Sequence, residues 1–213
     1  MNQYFIVDEN GSLRGNIEVL KELKLSKIEI PSEIDGVKVT RIADNAFCIE
    51  EDYEYYEDSN VLKDIITLIV CEGIEEIGEN VFRGCSKLNE VILPNSIVLL
   101  GEGVFQECMS LKSIILPNSI YNIPSFAFSN CFELERIEFS NKLTGIGVCA
   151  FSGCYELKSF SLPKSLLSIY SSAFEDCENL EQIIMSKRTK IIYDDIDNKN
   201  EVFNSCDAKI EYY

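Results

Sequence analysis

The chain has no histidine and no tryptophan among its 213 residues. Without His, neither a Ser-His-Asp nor a Cys-His nucleophile can be assembled, and every His-containing zinc site is excluded. No Cys-x-x-Cys occurs either, so a four-thiolate zinc site lacks its usual ligand spacing. No Gly-rich loop follows a strand and opens a helix, which leaves nucleotide binding without a phosphate cradle. Basic residues are scarce: 19 Lys and Arg stand against 36 Asp and Glu, a formal charge of −17. Nucleic acid and anionic membrane surfaces are repelled by such a chain, because phosphate binding needs clustered cations. No apolar run approaches the ~18 residues that would span a bilayer. The start, Met1-Asn2-Gln3-Tyr4-Phe5-Ile6-Val7-Asp8, lacks the basic lead and long apolar core of a signal peptide, so at face value the chain is cytoplasmic.

What is present is a repeat. Phe82, Phe105, Phe128, Phe151 and Phe174 stand 23 residues apart, as do Cys85, Cys108, Cys131, Cys154 and Cys177, and Leu88, Leu111, Leu134, Leu157 and Leu180. A period of this length marks a solenoid, in which each coil buries its apolar face only against its neighbours. Cys206 extends the cysteine column. A line of thiols cannot converge tetrahedrally on a metal, and a parallel in-register column seldom provides disulfide torsions. The column is therefore read as small buried apolar residues at a tight bend.

Residues 1–24 form an N-terminal cap, built on a hairpin that turns at Asn10-Gly11. Residues 25–213 form the solenoid, about eight coils of mostly 23 residues with the last incomplete. Coils begin at Leu25, Ile65, Leu88, Leu111, Leu134, Leu157 and Leu180, with insertions near 50–60 and 193–200. The first insertion, Glu50–Asp58, is acidic and carries Tyr53, Tyr55 and Tyr56. The second holds Asp194, Asp195, Asp197, Asn198 and Asn200, oxygen donors that suit calcium in type. Lys199 stands where an acceptor would be needed and no bidentate Glu follows, so a solvated loop is expected there, with no metal and no cofactor.

Within a coil, positions 1, 4 and 6 (Leu88, Val91, Leu93) argue a short strand with alternate side chains inward. Pro31, Pro94, Pro117 and Pro163 end that strand. The Ala/Val-Phe pair lies opposite, on short turns or 3₁₀/helical segments of the convex side. Positions 3 and 5 must then point outward from the sheet. Position 5 gives a stripe of Ile69, Ile92 and Ile115, bordered by Thr67, Glu90 and Ser113 and followed by Arg136 and Glu138. Contiguous exposed apolar residues tend to be contact sites.

Two units carry a family resemblance: Phe82-Arg83-Gly84-Cys85-Ser86-Lys87-Leu88-Asn89-Glu90-Val91-Ile92-Leu93-Pro94-Asn95-Ser96-Ile97 and Phe151-Ser152-Gly153-Cys154-Tyr155-Glu156-Leu157-Lys158-Ser159-Phe160-Ser161-Leu162-Pro163-Lys164-Ser165-Leu166. With the entry segment Ile30-Pro31-Ser32-Glu33-Ile34-Asp35-Gly36-Val37-Lys38-Val39, they resemble the BspA-type leucine-rich repeat over about residues 25–210. The resemblance implies a right-handed solenoid with a parallel sheet on its concave face, and no enzymatic activity. It also implies a secreted or cell-surface setting, against the cytoplasmic reading of the N-terminus. The expected function is a monomeric binding module for a protein or glycan. Its contacts would be Ile69, Ile92, Ile115, Glu90, Ser113, Arg136 and Glu138 on the sheet, and Tyr53, Tyr55 and Tyr56 on the loop. The alternative is a structural element that self-associates through an end or edge.

Overall fold

A computed structural model describes residues 3–49, 60–193, 201–206 and 208–213. Each coil contributes two short strands and one turn segment, and like elements stack along the axis. The first sheet stacks Lys27–Ile30, Thr67–Val70 and Glu90–Ile92 in parallel. It continues with Ser113–Ile115 on Arg136–Glu138, then Phe160–Ser161, Gln182–Met185 and Lys209–Tyr212. The second sheet begins with Phe5–Val7 antiparallel to Ser12–Gly15, followed in parallel by Arg41–Ile42, Glu76–Ile77 and Leu99–Leu100. Its second run holds Asn122–Ile123, Gly145–Ile146, Ser168–Tyr170 and Lys190–Ile192. Both sheets are interrupted at one level, between the coils that start at Leu88 and Leu111.

The expected count of eight coils is slightly high. About six turns keep the 23-residue spacing. The strands at Lys27–Ile30 and Lys209–Tyr212 join the array through segments longer than a regular coil allows. One of these holds a small hairpin, Glu33–Ile34 with Val37–Lys38, which turns through left-handed Asp35 (φ 48°) and Gly36 (φ 84°). A four-residue helix, Ile17–Leu20, buries Leu20 beside the N-terminal hairpin.

The third side consists of turns in every regular coil, and the 3₁₀ stretch Glu201–Phe203 takes that place in the last. Two columns of left-handed residues, 23 apart, shape these turns. Asn80, Gly103, Phe126, Cys149 and Ser172 form one, and Gly84, Glu107, Asn130, Gly153 and Asp176 the other. The tight path aims backbone N–H groups along the axis, as in Phe82 to Val104 O (3.0 Å), Phe105 to Ala127 O (2.9 Å) and Phe128 to Ala150 O (2.8 Å). Stacking the coils in this way aligns the phenylalanines. Neighbouring rings from Phe47 to Phe203 lie 5.3 to 5.9 Å apart and nearly parallel. Phe5 meets Phe47 edge-on at 72° and ends the stack.

The cysteine column lies beside the rings. Cys85, Cys108, Cys131, Cys154 and Cys177 are fully buried, and none of the nine cysteines is joined in a disulfide. Cys108, Cys131, Cys154 and Cys177 each donate an S–H to the Phe carbonyl of the preceding coil, at 3.2 to 3.3 Å. Burial pushes these thiols well above their ordinary pKa, so they stay protonated.

Candidate binding surface

The outer face of the first sheet follows from its pleat. Inward-pointing Leu68, Ile114, Ile137 and Ile183 are buried, and the residues between them face away from the core. Ile69 and Ile92 are register partners across adjacent strands, as are Ile115 and Glu138. Ile69 is half-buried, whereas Ile92 is 46% and Ile115 64% exposed. Glu90, Ser113, Arg136 and Glu138 are also exposed, with Ser113 opposite Arg136 and Glu90 opposite Thr67. Thr67 donates its hydroxyl to Glu90 Oε2 at 3.2 Å. The seven sheet residues named from the sequence thus lie along one face in four consecutive coils. Tyr53, Tyr55 and Tyr56 lie outside the described residues, as do Asp194, Asp195, Asp197, Asn198 and Asn200.

Chemically the face offers surface rather than a reaction centre. Among the described residues no group of three Cys, Asp or Glu side chains is arranged to hold a metal ion. A shallow hollow of about 470 Å³ opens beside Glu138, lined by Phe139, Phe160, Leu162 and Lys164 and bridged by Tyr213. Tyr213 donates its hydroxyl to Leu162 O at 2.7 Å, and the Lys164 ammonium stands 5.3 Å from its ring centroid. Burial raises the Tyr213 pKa, which favours the donor form of the phenol. Phe139 and Phe160 occupy inward positions that hold Leu, Ile or Val in most other coils. Their bulk coincides with a further break in the first sheet, between Arg136–Glu138 and Phe160–Ser161.

Comparison with known proteins places this architecture. Residues 75–209 match the model of a BspA type leucine rich repeat region, in six copies. The chain belongs to the BspA-type leucine-rich repeat family. Among solved structures, it resembles a leucine rich repeat protein from T. pallidum at 24% identity, covering 85% of this chain and 68% of that one, with a TM-score of 0.52. A leucine-rich repeat protein from Eubacterium ventriosum ATCC 27560 superposes with a TM-score of 0.70 at 19% identity. That match covers 98% of this chain and 51% of the Eubacterium protein. Both likenesses are likenesses of fold. No curated protein matches the sequence. No helix among the described residues is long and apolar enough to cross a membrane.

The BspA-type frame also exposes residues that sequence reasoning missed. On the second sheet Val98 (53%), Leu99 (51%) and Tyr121 (51%) are all open to solvent. Their backbone enters the strand through a shared bond. Val98 N–H and Leu99 N–H both bond Glu75 O, at 2.8 and 3.3 Å, while the register stays one to one, Leu99 on Glu76 and Leu100 on Ile77. The pattern recurs where Glu75 and Glu76 share Thr40 O, where Thr144 and Gly145 share Tyr121 O, and where Leu167 and Ser168 share Thr144 O. The run Ile97-Val98-Leu99-Leu100 is the sequence signal: four apolar residues at a two-sided turn cannot all be buried.

Proposed function

We propose that this chain is a non-enzymatic binding module that holds a protein or glycan partner on the outer face of its first sheet. BspA-type repeat proteins are typically non-enzymatic binding or structural modules. The observation that carries the reading is the open stripe of Ile92 and Ile115, two large apolar side chains in adjacent coils with no cover of their own. Burying each contributes about 1.5–3 kcal/mol, enough for a few such residues to dominate a modest interface. Ile69, Glu90, Ser113, Arg136 and Glu138 complete the footprint, and Tyr53, Tyr55 and Tyr56 are proposed as further contacts, being side chains that can stack and hydrogen-bond. The partner reaches a monomer, in the cell-surface setting that family membership favours. Its chemistry is neither nucleic acid nor anionic lipid, given the formal charge of −17.

The test starts from partners captured on immobilised chain from host-surface and cytosolic extracts. The captured partner is then titrated with two variants. Ile92→Asp should abolish binding while Ser161→Asp leaves it intact, with both variants as stable as the parent. Equal binding by the two moves the site off this face.

A second reading, self-association through an end, is supported by one asymmetry. The final members of the core columns, Ile191, Phe203, Cys206 and Ile210, are only half-buried, whereas Phe5, Leu13 and Leu20 close the other end. Light scattering across a concentration series separates the readings, because a binding module keeps a constant mass.

A further inference from the structure

We propose that the second sheet carries a separate docking surface, centred on Val98, Leu99 and Tyr121, for a cationic amphipathic segment of a partner protein. It does not rest on the first-sheet reading, since it uses another side of the solenoid. The three side chains stand in two adjacent coils, in columns that hold Glu75 and Glu76 one coil earlier and Asn122 and Thr144 later. Val98, Leu99 and Tyr121 lie outside at the point where each turn enters its strand, while Leu100 and Ile123 fill the core beneath.

Charge decides the occupant. The coil from Leu88 to Ser110 contains no Lys or Arg. Glu75 and Glu102 are exposed beside the apolar trio. Arg41 lies two coils away in the same sheet, already held by Asp44 at 2.7 Å and Glu76 at 2.9 Å. An acidic rim around an apolar centre complements a segment with Leu- or Ile-like residues on one face and Lys or Arg beside them. An acidic partner would meet the same rim with like charge.

The interruption of the sheets adds a second feature. Leu99–Leu100 and Asn122–Ile123 are not joined by a ladder, although the turns of the same coils are, through Gly103 N–H to Ser125 O (3.0 Å) and Phe105 N–H to Ala127 O (2.9 Å). The apolar trio therefore straddles a seam where strand edges meet without ladder bonds.

The absence of Trp gives a clean assay. The probe is a synthetic 14-residue Leu/Lys amphipathic peptide bearing one Trp, whose emission reports burial with no background from the chain. The expected result is a saturable blue shift, and at least tenfold weaker binding of a Ser/Lys peptide of equal charge. Leu99→Glu should weaken the Leu/Lys peptide at least tenfold, even though it makes the chain more negative. Ile115→Asp, on the first sheet, should leave the affinity unchanged. Circular dichroism and the thermal midpoint verify the fold, and Tyr121→Ser replaces Leu99→Glu if the latter does not fold. Equal or tighter binding by Leu99→Glu, equal binding of both peptides, or loss of binding in Ile115→Asp alone overturns the proposal.

Discussion

At the scale of single residues, two polar groups have been absorbed into the core by opposite means. Asn60 is 1% exposed, yet its side-chain amide donates to Val81 O and Arg83 O, both at 3.0 Å, and its Oδ1 accepts from Leu62 N–H. It replaces the backbone donors that a regular coil would present after the Glu50–Asp58 insertion. The cysteines are satisfied differently, as weak donors whose neutral form is required. A thiol whose folded-state pKa exceeds its unfolded value holds its proton more tightly when folded. The associated stability is fully present below the unfolded pKa, near 9.0, and is lost as pH rises above it. The urea midpoint should therefore be flat from about pH 6 to 8 and fall beyond pH 9, each buried thiol contributing up to about 1.4 kcal/mol per pH unit. Cys131→Ala should flatten that fall by one thiol's share. An unchanged slope, or rapid reaction of the five column thiols with a thiol reagent in the native chain, would show that the column is not sealed.

At the scale of the coil, most of the architecture was legible because its period is so regular. The Phe, Cys and Leu columns stand in the sequence, and each marks a residue with no room for anything larger or more polar. The turns were less legible. Left-handed backbone is demanded at Phe126 and Glu107 as much as at Gly103 and Gly84, so composition alone does not reveal it. The second strand was missed as a surface because it is only two residues long at Leu99–Leu100 and Asn122–Ile123, too short to show the alternation on which the reading relied. The first-sheet face was legible as geometry, since strands alternate, but a sequence carries no partner. Glycine shows the close approach most directly. A Cβ on Gly101 would lie 2.3 Å from Gly78 C and 2.4 Å from Glu79 N, backbone atoms of the preceding coil. Gly36 has a left-handed φ but nothing within 4 Å of its would-be Cβ. Gly101→Ala should cost about 3 kcal/mol or more through forced coil separation. Gly36→Ala should cost only the left-handed strain of about 1–2 kcal/mol. Urea titration that reverses this order would mean the coils are not in backbone contact there.

At the scale of the whole molecule, a solenoid has no single centre, and its stability is a sum of coils and the contacts between neighbours. Position along the axis should then decide what a given substitution costs. Phe128 is fully buried between Phe105 at 5.6 Å and Phe151 at 5.3 Å. Phe203 stacks on Phe174 at 5.8 Å and is half-buried. The chemistry removed is the same, but only the middle site leaves a cavity closed on both sides. Phe128→Ala should cost about 3–5 kcal/mol, and Phe203→Ala about 1–2 kcal/mol, the share expected of a partly exposed ring. The N-terminal end should not behave in this way, because Phe5 and Leu20 seal it. Amide exchange provides the independent measure. Protection of the turn N–H groups should be high at Phe82, Phe105 and Phe128 and lower at Phe174, whose acceptor is Val202 O of the last coil. Uniform protection from end to end, with equal costs for the two substitutions, would show that the C-terminal end is covered as well as the middle. The self-association reading would then lose the half-buried surface on which it depends.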